Sequence, residues 1–406
     1  MRISSNTIFD ANVAMLGQQS SRLVQTQQQI ASGRRLTSAA VDPVAATRAL
    51  NVAQADAAIT QQTANRGAAR DPVSIAESTL QSVTTLLQDV KTTAIYAGNG
   101  SLAASDRATL ATTLNGRLQE LIGLANNTDA NGNYLFSGFQ SKTPPFAATP
   151  ACISYAGDDG QRLVQVSAGR QMATSDSGAD VFMRVKNGNG TFVTQQNTLP
   201  LPNTGTGVIS AGTVTNTAAL TGNNYSISFN MPPGVNSTLT YTVNNLTTGM
   251  QVTGQSAQPY VTGQAIAFDG MQMDVQGAPT SGDSFNIAPS TNVSVFKTIS
   301  DLITTLNSPV TGSGLTNALN TGMNNLDSAL NNVLNTRATL GLRLNEIDAL
   351  QVTGDNMSLQ LKQSLSTLQD TNVTQSISDL NQQQTSLQAA QKSFAQIANL
   401  TMFTYI

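Results

Sequence analysis

Asp158, Asp159, Asp176 and Asp180 lie close together in the chain and are the side chains nearest to a catalytic set. A pair of carboxylates is enough for acid–base hydrolysis of a glycosidic bond, one held protonated and the other ionised. The usual companions are missing, because the 406 residues include no His and no Trp. Without His there is no Ser-His or Cys-His nucleophile, no His-Glu-x-x-His zinc helix and no side chain that titrates near neutrality unperturbed. The single cysteine, Cys152, supports neither a disulfide framework nor a thiolate cluster, and its expected place is a buried, unreactive one. Asp158 and Asp159 stand in Gly157-Asp158-Asp159-Gly160, which reads as the turn of a hairpin joining Ile153-Ser154-Tyr155 to residues 162–166. It does not read as a calcium loop, since no spaced set of further oxygen ligands follows. The sequence therefore names no catalytic residue, no cofactor and no metal ligand.

Composition narrows the partners. Only 11% of residues are charged, against roughly 25% in an ordinary globular chain, and the formal net charge is -3. No basic patch suited to nucleic acid or to an anionic membrane is present, and no apolar run is long enough to span a bilayer. No cleaved signal peptide is expected. Solubility must rest on amides and hydroxyls.

The elements that could meet partners lie at the two ends. Phe9, Val13, Leu16, Leu23 and Ile30 follow steps of four and three, with Ser20 and Gln27 filling two positions, over a helix expected from Ser4 or Ser5 to Ser32 with Gly33 as its left-handed cap. Near the other end Ile377, Leu380, Leu387, Phe394, Ile397 and Leu400 form a matching stripe, after one through Leu326, Leu330, Val333, Leu340, Leu344 and Ile347. A stripe this narrow needs another helix to cover it, so the terminal helices are expected side by side, with these residues as the candidate assembly interface. Asp42-Pro43 and Asp71-Pro72 read as two further helix starts, and Leu110, Leu114, Leu118 and Leu121 as the face of another helix. Arg34 and Arg35 are expected to cap a helix dipole or to pair across a subunit contact.

Between Asn187 and Gly270 the only charge is Asp269, while residues 221–229, 237–243, 264–268 and 271–275 alternate as strands. The fold class is α+β, long terminal helices in a coiled coil or bundle with a mainly-β region inserted. The expected domains are 1–33 with 373–406 as the terminal coiled coil, 34–140 with 290–372 as a helical rod, and 141–289 as the β region, with 187–269 as its enlargement.

Several segments resemble the flagellin superfamily, and within it the branch that forms the junction between flagellar hook and filament. At the N-terminal end these are Arg2-Ile3-Ser4, Gln28-Gln29-Ile30-Ala31-Ser32-Gly33-Arg34-Arg35 and Val41-Asp42-Pro43-Val44-Ala45-Ala46, where Val41 replaces a more usual Asp. Tyr134-Leu135-Phe136-Ser137-Gly138-Phe139 and Gly282-Asp283-Ser284-Phe285 are similar to segments flanking the family's β domain. Gly341-Leu342-Arg343-Leu344-Asn345, Ser386-Leu387-Gln388-Ala389-Ala390 and Met402-Phe403-Thr404-Tyr405-Ile406 are similar to its returning helix and C-terminal coil, with a departure at Thr371-Asn372-Val373. The resemblance implies a structural subunit of the extracellular flagellum, not an enzyme, exported by the flagellar type III apparatus. It also implies four partners: a hook-side junction protein, flagellin, copies of the chain in a ring, and an export chaperone. Flagellin itself and, more remotely, a glycan-binding surface adhesin are the alternatives. Periodicity does not separate junction protein from flagellin; the Tyr134 and Ser386 segments favour the junction.

Overall fold

The computed structural model describes residues 5–149, 152–198, 202–234 and 237–403. Arg2-Ile3-Ser4 and Thr404-Tyr405-Ile406 lie outside the described residues. Two compact units divide the chain, one of residues 1–64 and 349–406, the other of residues 65–348.

The first unit holds α1 (Ser5–Ser32), the start of α2 (Pro43–Ala97), the end of α5 (Gly312–Gln369) and α6 (Val373–Phe403). Helix α1 stops where expected: Gly33 takes a φ of +68°, which a side chain would strain. Asp42 opens α2 by accepting the Ala45 amide at 2.9 Å. The second expected start is not one, because α2 runs through Pro72 without a break. A proline inside a helix removes one ladder bond and costs about 3 kcal/mol. Here Ala69, Val73, Ala76, Leu80, Val83, Leu87, Val90, Ala94 and Ala97 are all buried at unbroken steps of four and three, and that face holds the helix together across the gap.

The second unit has two cores. In one, α2 packs with α3 (Ala104–Ala125), α4 (Val295–Asn307) and the buried face of α5, which runs through Leu315, Leu319, Leu326, Val333 and Leu340. Helices α4 and α5 cross closely at Gly322, where an added Cβ would stand 2.4 Å from Leu302. Phe136, Phe146, Phe182 and Phe296 close this core as an aromatic cluster with centroids 5.1 to 5.9 Å apart.

Two hairpins follow α3. Strand β1 (Phe146–Ala148) pairs with β2 (Ile153–Tyr155), and β3 (Leu163–Ser167) pairs with β4 (Arg170–Ala173). The expected hairpin between residues 153–155 and 162–166 is therefore absent. Asp158 explains why: its Oδ1 accepts the Phe139 amide at 2.9 Å and the Gly160 amide at 2.8 Å, which ties the turn to the 134–139 segment. Cys152, expected to be buried, is exposed beside the β1–β2 turn.

The other core is the β region. Strands β5 (Val185–Lys186) and β16 (Asn292–Val293) pair at its base. One sheet contains β6 (Phe192–Gln196), β15 (Ser284–Pro289), β9 (Tyr225–Asn230) and β10 (Thr240–Asn245), with β11 (Met250–Gln251) and β12 (Gln258–Pro259) on the outer side of β10. The second sheet has β14 (Met271–Gln276) flanked by β13 (Ala265–Phe268), β7 (Val208–Ile209) and β8 (Thr213–Val214). Alternation places Tyr225, Ile227, Phe229, Phe285 and Ile287 inward. Because β15 lies between β6 and β9, the 187–269 stretch is threaded into one sheet with residues beyond it. Polar groups on α5 hold this region by its backbone: Asn317 accepts the Ile209 amide at 3.0 Å and donates to the Gly207 carbonyl at 2.9 Å, and Asn325 accepts the Gly188 amide at 2.8 Å.

Candidate assembly interface

The pairing of α1 with α6 belongs to the first unit, and its seam is built on heptads. On α1 a shielded series runs through Asn12, Leu16, Gln19, Leu23, Thr26 and Ile30, and on α6 through Ser376, Leu380, Gln383, Leu387, Ala390 and Phe394; Gln25, Gln29 and Asp379 are partly shielded beside them. Both series step by four and three, the rhythm of knobs packing into holes. The helices are antiparallel, since the rings of Phe9 and Phe394 approach to 5.2 Å while Thr371 donates its amide to the Gly33 carbonyl at 3.0 Å. Between those two points Thr26 meets Gln383. The other heptad position is polar or small throughout: Asn12, Gln19 and Thr26 on one helix, Ser376, Gln383 and Ala390 on the other.

Six expected residues, Leu16, Leu23, Ile30, Leu380, Leu387 and Phe394, thus line the seam. Phe9 shares in it through its ring contact yet is 50% exposed, and Val13 and Ile377, at 47% and 45%, lie on the flanks. Ile397 and Leu400 lie outside the residues whose side chains are described. Ser20 and Gln27, expected in the seam, are exposed; Gln19 and Thr26 take those places. The apolar stripe at 9, 16, 23 and 30 borders two polar stripes, and the geometry of α6 selects the one that the spacing did not.

Thr26 Oγ1 stands 3.0 Å from Gln383 Oε1 and 3.1 Å from the Arg22 carbonyl, so its one proton serves one or the other. Gln19 Oε1 is buried with no hydrogen-bond partner among the described residues. Beside it runs a groove of about 260 Å³ lined by Gln19, Arg22, Asp379, Gln382, Gln383 and Ser386.

The far end of the seam is a joint. Arg35 donates its amide to the Gln369 carbonyl at 2.7 Å and its Nη2 to the Leu368 carbonyl at 2.8 Å, capping the C-terminus of α5. Its Nη1 lies 3.4 Å from Asp42 Oδ2. The Ala45 amide, helped by Arg35, holds the Asp42 carboxyl below the usual range. The expected dipole cap is real, on α5 in place of the arginine's own helix.

In the second unit the four aspartates are already engaged. Asp159 accepts Arg184 at 2.6 Å and Ser177 at 3.1 Å, and Arg184, then Ser177, holds its carboxyl below the ordinary range. Asp180 accepts the same Arg184 at 2.8 Å, and Asp176 receives both terminal nitrogens of Arg343 at 2.8 and 2.9 Å. With Asp158 bound to two amides, each of the four carboxylates is engaged by a cation or by backbone. Among the described residues no group of three or more His, Cys, Asp or Glu could hold a metal ion, and no helix is long and apolar enough to cross a membrane.

Comparison with known proteins gives these observations a setting. Residues 3–141 match the bacterial flagellin N-terminal helical region, and residues 200–289 the D2-like domain of flagellar hook-associated protein 1. Flagellar hook-associated protein 3 of Salmonella typhimurium is 27% identical over 408 residues, covering 99% of each chain. The crystal structure of the flagellar junction protein FlgL from Legionella pneumophila is 33% identical, with a TM-score of 0.72 over 80% of this chain and 100% of that one. Xanthomonas campestris FlgL is 29% identical, with a TM-score of 0.69 over 77% of this chain and 99% of that one.

Proposed function

Because the chain belongs to the flagellar hook-associated protein 3 family, we propose that it is a structural subunit of the bacterial hook–filament junction, joined on one side to a hook-side junction protein and on the other to flagellin. The observation that supports this most directly is the terminal helix pair. It closes one narrow seam between the two ends of the chain and leaves Phe9, Val13, Met15 and Val24 on α1 and Val373 and Ile377 on α6 exposed. A helix pair with apolar flanks and few charges suits packing with like helices in a ring through heterologous contacts. In this reading residues 1–33 with 373–406 make the subunit contacts, 34–140 with 290–372 form the rod, and 141–289 form the mainly-β outer region. Export without a cleaved signal peptide, and a chaperone that covers the C-terminal segment beforehand, complete the proposal. The role is structural and not catalytic.

The test is addition of purified chain to isolated hooks whose ends carry the hook-side junction protein, followed by flagellin. Attachment at a fixed low copy number and filament growth from those ends are expected. Failure to attach, or incorporation in thousands along the filament, would overturn the junction role.

A further inference from the structure

An Asn followed by Gly is prone to react with its own backbone, because no Cβ shields the glycine nitrogen from the side-chain amide before it. Five such pairs stand in the chain, beginning at Asn99, Asn115, Asn131, Asn187 and Asn189. The fold holds the glycine amide in four of them. Gly116 lies inside α3, where the helical ladder engages its N–H, and Gly132 donates to the Asp129 carbonyl at 3.0 Å. Gly188 donates to Asn325 Oδ1 at 2.8 Å, and Gly190 to the Asn187 carbonyl at 3.2 Å. In the connection between α2 and α3, by contrast, the Gly100 amide has no hydrogen-bond partner among the described residues, and Asn99 and Gly100 are both exposed. Ser101 adds the other half of the arrangement, since its amide at 3.1 Å and its Oγ at 2.9 Å both donate to Asn99 Oδ1. Two donors on a carbonyl oxygen draw charge from its carbon and stabilise the oxyanion that forms when that carbon is attacked.

We infer that Asn99 is a site of spontaneous deamidation, at which the Gly100 nitrogen attacks Asn99 Cγ beneath the two Ser101 donors. The N–Cγ bond forms, the Cγ–Nδ2 bond breaks, and the amide NH2 leaves as ammonia with the proton given up by Gly100. The five-membered imide left behind takes up one water at either carbonyl and opens to an aspartyl or an isoaspartyl residue. Nothing is oxidised or reduced and no partner is needed, so the reaction is independent of the junction role. Either product adds a negative charge just beyond Ala97, at the C-terminal end of α2, where the helix dipole disfavours it. The isoaspartyl form also lengthens the backbone of the turn that Leu102 closes by donating its amide to the Asn99 carbonyl at 3.1 Å.

The test is to hold the purified chain at mildly alkaline pH for weeks and map its peptides by mass spectrometry, with an isoaspartate-specific methyltransferase marking the rearranged product. Asn99 should convert first and at least as fast as in a synthetic peptide of residues 95–104, while the other four pairs lag behind their own peptides. Gly100→Ala meets no atom within 4 Å of its new Cβ, so it should fold and melt as the wild type yet slow conversion about tenfold by crowding the attack. Ser101→Ala should slow it about two- to fivefold in the folded chain, the effect of one exposed hydrogen bond, and leave the peptide unchanged. Conversion of any other pair before Asn99, or slower conversion of Asn99 in the folded chain than in its peptide, would overturn the inference.

Discussion

Replacing Leu387 and Phe394 together by Asp strikes the seam at two of its apolar layers. Full burial of such side chains contributes roughly 1.5–3 kcal/mol each, but both are only half-buried in the single chain, so about 1 kcal/mol apiece is the better figure. Loss of the ring pair between Phe9 and Phe394 adds about 0.5–1.5 kcal/mol, and two carboxylates in the half-buried seam, one of them against Phe9, bring a desolvation penalty. The sum, about 3 kcal/mol or more, is large for a two-helix contact in which alternate layers are polar. Neither buried cluster of the 65–348 unit contains a residue of α1 or α6, so that unit should melt as before. The assay has two parts: hydrogen exchange on the purified variant, where residues 9–30 and 376–394 should lose protection, and attachment to hook ends, which should fail. Leu387→Met with Phe394→Leu, similar in bulk and uncharged, should attach. Normal attachment and filament growth by the double Asp variant, with its terminal helices unprotected in solution, would refute the packing argument.

Three further outcomes are expected. Replacing residues 188–290 by a short Gly-Ser link should leave the helical body folded by circular dichroism, because Asn187 and Thr291 already meet at 3.0 Å and the α5 groups thereby freed, such as Asn317 and Asn325, are polar; removal of 187–269 alone should yield aggregate, since Phe285 and Ile287 lose their sheet. Asp283 is pushed up by burial, but the Thr280, Thr204 and Gly205 amides outweigh this and hold its carboxyl below the ordinary range, so its stabilisation is complete above roughly pH 4 and lost as pH falls through the depressed value. Asp283→Asn should accordingly lower the melting of the β region by about 2–4 kcal/mol at neutral pH and flatten its acid dependence in a pH series of thermal melts. Gly322→Val should destabilise the α4–α5 contact by about 1–3 kcal/mol in thermal denaturation, because a Cβ 2.4 Å from Leu302 Cδ2 forces that buried side chain to move.

Sequence by itself determined the elements whose signals are local. Gly33 ended α1 because a left-handed cap needs no side chain, Asp42-Pro43 opened α2 because the Asp carboxylate meets a free amide, and alternation in 225–229 made a strand because successive side chains face opposite ways. The apolar seam positions Leu16, Leu23, Leu380, Leu387 and Phe394 were legible for the same reason: a seven-residue repeat returns to one helix face. Only the tertiary structure decided what depends on a distant partner. Asp71-Pro72 looks like a helix start, and the buried face on both sides of it makes it helix interior. Gly157-Asp158-Asp159-Gly160 has hairpin chemistry, and the Phe139 amide claims Asp158 for a different connection. On α1 two polar stripes border one apolar stripe at equal spacing, and only the position of α6 buries Thr26 and half-buries Gln19 while leaving Ser20 and Gln27 in solvent. Periodicity fixes which residues share a face, but the direction from which a partner helix approaches that face is a property of the packed pair.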